Sequence, residues 1–196
     1  MDIKRQLDIT TQQIVRAKIF YDIWWFYRGP DTRPHILETL NDLSEFFLFD
    51  DHAHYVSMII HCAVVWDKAR GNIGLPRVSK LILDPNRKPK DRELSDAIAC
   101  HAKKAEGLVK LRHEAIAHRS AEFDYPEAHK RAGLPRDQIP AMLNEWLNVI
   151  NHLRERQGMA AESFNEMPLH DARQLIHALG GPNMKPASPL DCLFEK

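Results

Sequence analysis

The sequence predicts an all-α fold, an antiparallel bundle of about five to six helices, on three observations. Apolar residues recur at a three-to-four spacing through most of the chain, the period of an amphipathic helix. Gly and Pro clusters fall between those periodic stretches, where they end helices and open turns. No alternating run bounded by turn residues marks a strand. Elements that each carry one apolar stripe bury it against one another, and an antiparallel bundle is the simplest way to do so.

The first helix runs from Ile3 to Trp24, with Ile3, Leu7, Ile14, Ala17, Tyr21 and Trp24 on one side, and ends before Gly29-Pro30. Pro34 suits the first turn of a second helix through Leu40, Leu43 and Phe46/Phe47, because the missing N–H costs nothing there. Asp50 and Asp51 read as the cap of a third, with Tyr55, Met58, Ile59, Cys62, Val65 and Trp66 along it. Gly71, Gly74 and Pro76 break it. A short helical piece, Val78 to Leu83, and a basic loop from Asp84 to Lys90 lead to a fourth helix, about Asp91 to Arg119. A loop containing Tyr125-Pro126 and Gly133-Leu134-Pro135 precedes a fifth, whose inward face is Ile139, Met142, Leu143, Trp146, Ile150 and Leu153. A shorter helix follows, about Leu169 to Leu179. Residues 1–180 are read as a single helical domain and 181–196 as a loosely ordered C-terminal tail.

The chain has 196 residues, enough to build a core without disulfides or a structural metal. Its formal charge is zero, so any affinity for nucleic acid must come from a local patch. Three cysteines, an odd number without CxxC spacing, point to a reducing compartment. No signal peptide is visible, and the longest apolar run, Tyr55 to Trp66, is too short to span a bilayer. A cytoplasmic protein with no membrane partner is expected.

No P-loop, GxGxxG or nucleophile elbow occurs, so no cofactor is expected. His113-Glu114-x3-His118 has one residue too many for a zinc-protease motif. Its histidines lie about 140° apart round a helix and cannot chelate one ion. His52-x-His54 sits where a helix is expected to open, which explains its acidic neighbours without a metal. Cys100-His101 and His61-Cys62 are read as packing pairs on buried helices. The run Trp24-Trp25-Phe26-Tyr27 suits a core or a dimer interface better than a base-stacking platform.

The fourth helix carries the chemistry. At about 100° per residue, Leu94, Ile98, Ala105, Leu108, Ala115 and Ile116 form one apolar stripe, and Arg112 falls in its middle. A permanent charge on a packing face is costly unless it is paired or faces a polar cleft. His118 lies about 120° round from it, on the side of Leu111. One helix cannot easily aim both groups at one atom, whereas two such helices about a two-fold axis would gather two arginines and two histidines.

The string Arg112-His113-Glu114-Ala115-Ile116-Ala117-His118-Arg119 resembles the signature of HEPN domains, helical bundles common in prokaryotic RNA-targeting defence. That signature is an arginine, a polar follower (here His113), and a histidine after four to six intervening residues (here five). A second match, Arg28-x6-His35, straddles Gly29, Pro30 and Pro34 in a loop and is discounted. The stretch from Trp66 to Pro85 is similar to the abortive-infection branch, where a helix ends in a polar turn before a short Ser-x-Leu helix. The resemblance covers roughly Ile14 to Ser120.

It implies a metal-independent endoribonuclease acting on RNA as a homodimer, in a phage-defence or toxin–antitoxin setting with a separate antitoxin protein as partner. Arg112 would stabilise the scissile phosphate and His118 would transfer protons. His113 would orient the site or touch the phosphate, with Glu114 and Arg119 in support; Glu114, four residues before His118, could fix its tautomer. Lys80, Arg87, Lys88, Lys90 and Lys110 belong to a basic segment suited to RNA phosphates. Two alternatives stay open. One is a non-catalytic module of the same fold that binds RNA, nucleotide or a partner protein. The other is a helical scaffold with an accidental motif, in which Arg112 lies buried against a carboxylate.

Overall fold

The computed structural model describes residues 2–67, 74–84, 86, 88–112, 129–130, 132–133 and 135–182. Among them are seven α-helices and no strand: α1 (Ile3–Arg28), α2 (Arg33–Asp42), α3 (Ser44–Trp66), α4 (Leu75–Ile82), α5 (Pro89–Arg112), α6 (Ile139–Arg156) and α7 (Met167–Ala178). A 3-10 turn, Arg136–Gln138, leads into α6. The fold is all-α, as the periodicity predicts. The helices group into two compact units, one of residues 1–18 and 56–163, the other of 19–55 and 164–196.

In the first unit α4 packs on α5 and α6, and α5 on α6. Proline near the start of each of α4 and α6 fixes φ where an N–H has no partner anyway. Pro76 therefore opens α4 and does not merely break α3, which already ends at Trp66. All six residues expected on the inward face of α6 are buried. Trp146, fully buried, meets Trp66 edge-on at 5.2 Å, an arrangement the ring quadrupoles favour. The stripe continues past its apolar part to Arg154, whose side chain is only 6% exposed. Gly158, at φ 66°, ends α6 and lets the Met159 N–H reach the Arg154 carbonyl at 3.0 Å. The returning chain then brings the Ala160 carbonyl to Arg154 Nε at 2.9 Å and the Glu162 carboxylate to Nη2 at 3.2 Å. Nη1 donates to Asp8 on α1 at 2.6 Å. A buried guanidinium with all three nitrogens engaged ties the start of α1 to the end of α6.

In the second unit Ile23, Phe26 and Tyr27 of α1 close on Ile36 and Leu40 of α2, Phe47 of α3, and Ala172 and Ile176 of α7. Trp24, Phe26 and Tyr27 are at most 3% exposed, so most of the aromatic run is core. Arg28, the last residue of α1, donates Nε and Nη2 to the Asp51 carboxylate at 2.8 and 2.6 Å. This explains the discounted Arg28-x6-His35 match as structural, although His35 stands on α2 and not in a loop.

The boundary between α2 and α3 corrects the sequence reading. The break is at Leu43, α3 begins at Ser44, and Asp50, Asp51, His52 and His54 lie inside it. Asp51 is held by Arg28, and His54 Nδ1 lies 2.7 Å from the Asp50 carbonyl; neither aspartate is a helix cap. Of the apolar residues at this junction only Phe47 turns inward. Leu43, Phe46, Leu48 and Phe49 remain exposed.

Candidate functional site

Arg112 is the last described residue of α5. Ile98 and Ala105, at seven-residue steps before it, are buried, and so is Leu108 one turn back. Arg112 thus stands on the stripe that faces the core, as expected. Its side chain is nonetheless 28% exposed, because it lies where that stripe reaches the surface. Nη1 faces Asp67 Oδ2 at 3.4 Å, and the Asp67 side chain is 23% exposed. The guanidinium is neither sealed in a closed core nor loose on an outer face.

Asp67 is fixed from both sides in sequence. It directly follows Trp66, which is buried against Trp146, and its N–H reaches the Val64 carbonyl at 3.4 Å. Where the described chain resumes, Gly74 lies so close that a Cβ would sit 2.7 Å from the Val65 carbonyl oxygen and 3.1 Å from that of Asp67. Only glycine admits this approach without displacing backbone. The sequence reading missed Asp67. The available signal was an acid at the C-terminus of an apolar helix, where the helix dipole disfavours it.

His101 lies eleven residues before Arg112, about 20° round α5 and so on the same side. It packs against Trp66 with ring centroids 6.4 Å apart. Nδ1 makes no hydrogen bond, although Glu145 Oε2 lies within ion-pair distance at 3.4 Å. Burial holds the imidazole below its ordinary pKa; Glu145 opposes that shift and Lys104 adds to it. The neutral ring is therefore the folded form, and the unfolded chain binds the extra proton near pH 6.5. Stability from this residue is present above that value and is lost as pH falls toward the folded pKa. His61 shifts the same way through burial and Arg16. Thermal melting should show a lower Tm at pH 5.5 than at pH 7.5, with a smaller drop in His101→Gln. An unchanged drop in that variant would contradict the assignment. Cys100, paired with His101 in the sequence reading, is exposed and not buried. Among the described residues no group of three His, Cys, Asp or Glu could hold a metal.

A half-buried arginine on the core stripe of a long helix, clamped beside an aromatic-anchored acid in an all-α chain, is the setting in which the family comparison is read. The sequence matches the HEPN family described as AbiU2 over residues 2–172. The chain belongs to the AbiU2 family. Comparison with curated proteins and with solved structures returns no match.

This AbiU2-type HEPN chain is thus assigned to an abortive-infection family, with Arg112 the one described member of the expected catalytic set. His113, Glu114, His118 and Arg119 lie outside the described residues, as does Arg87. Lys80 on α4, Lys88 just before α5, and Lys90 and Lys110 on α5 are all exposed. Lys90 and Lys110 do not flank Arg112 on its own face of α5. Lys90 precedes it by 22 residues, roughly 33 Å along the helix axis. Lys110 is near along the axis but about 160° round the helix. No described helix is long and apolar enough to cross a membrane.

Proposed function

We propose that this AbiU2-family protein is a metal-independent endoribonuclease that acts as a homodimer in phage defence, restrained by a separate antitoxin. The observation that carries the reading is the placement of Arg112. It stands on the packing stripe of α5, yet has 28% of its side chain open and only a long single-nitrogen contact to Asp67. Such a group can still turn a planar fork of N–H donors to a phosphate.

In the reaction an imidazole of His118 takes the proton from a ribose 2′-OH, and the 2′-oxygen attacks the adjacent phosphorus. The bond from phosphorus to the 5′-oxygen breaks as a second imidazole, His118 of the other subunit, gives that oxygen a proton. Arg112 offsets the charge that builds on the non-bridging oxygens. The products are a 2′,3′-cyclic phosphate and a 5′-hydroxyl. His113 orients the site, Glu114 and Arg119 support it, and the exposed lysines hold flanking backbone.

Incubating the purified protein with transfer RNA and with unstructured single-stranded RNA in excess EDTA should yield fragments bearing these end groups. Salt-sensitive RNA binding without cleavage would leave a non-catalytic module of the same fold. Sedimentation of the protein as a monomer at assay concentration would remove the shared-site geometry.

A further inference from the structure

Asp67 lies outside the motif, and its contact with Arg112 is too long and too exposed to serve stability well. An ion pair in this regime contributes little to the fold, because solvent screens it and two side chains must be held still. The surroundings of Asp67 are, by contrast, built with care. Trp66 anchors it in the aromatic contact with Trp146. The Val64 carbonyl holds its N–H, and Gly74 closes on its own carbonyl. The chain fixes the backbone of an acid whose carboxylate meets Arg112 through that arginine's Nη1.

We propose that Asp67 is a positioning residue for Arg112, a role that rests on the ribonuclease reading above. Its carboxylate holds Nη1 and so limits the rotamers of a long, otherwise mobile side chain. That contact does not use the Nε–Nη2 edge of the guanidinium, the pair of donors that fits two phosphate oxygens. A contact through Nη1 alone suits this division of labour. A bidentate grip like that of Asp51 on Arg28, through Nε and Nη2, would occupy the edge that a phosphate needs.

The test is a mutant cycle on the full chain, with single-stranded oligoribonucleotides in EDTA and long single-turnover reactions that resolve slow variants. Asp67→Ala should lower kcat about thirty-fold while KM stays within about two-fold, since orientation is felt mainly as charge develops. Asp67→Asn keeps an acceptor oxygen in place and should recover most of the rate. In an Arg112→Ala background, Asp67→Ala should cost nothing further. A wild-type kcat in Asp67→Ala, or an undiminished loss in the Arg112→Ala background, overturns the proposal. If Asp67→Ala does not fold, the cycle is run with Asp67→Asn, for which a roughly three-fold loss confined to the Arg112 background is expected and a loss independent of Arg112 overturns it. Wild-type protein that leaves RNA intact overturns the ribonuclease reading and this role together. Cleavage lost in Arg112→Ala but unchanged in both Asp67 variants overturns this role alone.

Discussion

Arg112→Ala is expected to slow RNA cleavage about a thousand-fold with the fold intact, the loss typical of removing one preorganised donor from a developing oxyanion. The fold should survive, because the pair with Asp67 is long and both side chains are about a quarter open. Arg112→Lys should recover only part of the rate. A lysine supplies the charge but not the planar pair of donors. His118→Ala should cost a hundred-fold or more through loss of general acid–base catalysis. Rates measured beside far-UV circular dichroism decide the matter: cleavage at the wild-type rate in both variants removes the catalytic assignment. Unfolding of Arg112→Ala would instead mark the residue as structural.

The second large effect is on stability. Arg28→Met leaves Asp51, which is 4% exposed, as a buried carboxylate stripped of its bidentate partner. Breaking one side of a fully buried pair costs about 3–5 kcal/mol; with the Arg28 side chain 34% exposed a loss of about 2–3 kcal/mol is expected, still a large share of the roughly 5–15 kcal/mol by which domains are stable. The midpoint of urea unfolding should fall accordingly. Arg28→Met combined with Asp51→Leu should recover most of the loss, because an apolar pair of similar volume needs no compensation. A double variant no better than the single one would show that the bridge is not where the energy lies.

Element type was readable wherever one strong period ran unbroken. The inward face of α6 followed from six apolar positions, and all six are buried. The reading faltered where polar residues do structural work. Arg154 continues the same stripe, but nothing local announces that Asp8, about 150 residues away, will meet it. Asp50 and Asp51 look like caps by composition. Their partners, His54 and Arg28, become visible only once α1 and α3 are in place. The true start of α3 had a signal, Ser44 followed by Glu45, which was passed over because Leu43 and Phe46 kept a helical period across the break. In the site, the arginine was legible because a charge interrupts an apolar stripe. Its neighbour Asp67 left only a weaker signal, an acid placed against the helix dipole with no periodicity to violate. The AbiU2 match supports the family resemblance, which had been read from residues around Arg112 and Trp66.

The close approach of Gly74 to the carbonyls of Val65 and Asp67 makes residues 67 and 74 the two posts of a gate in the chain. Because the two posts are in contact, α4 starts from a fixed point at the end of α3, and a side chain at position 74 would push it away. Gly74→Ala is therefore expected to lower the Tm by displacing the start of α4 on α5 and α6.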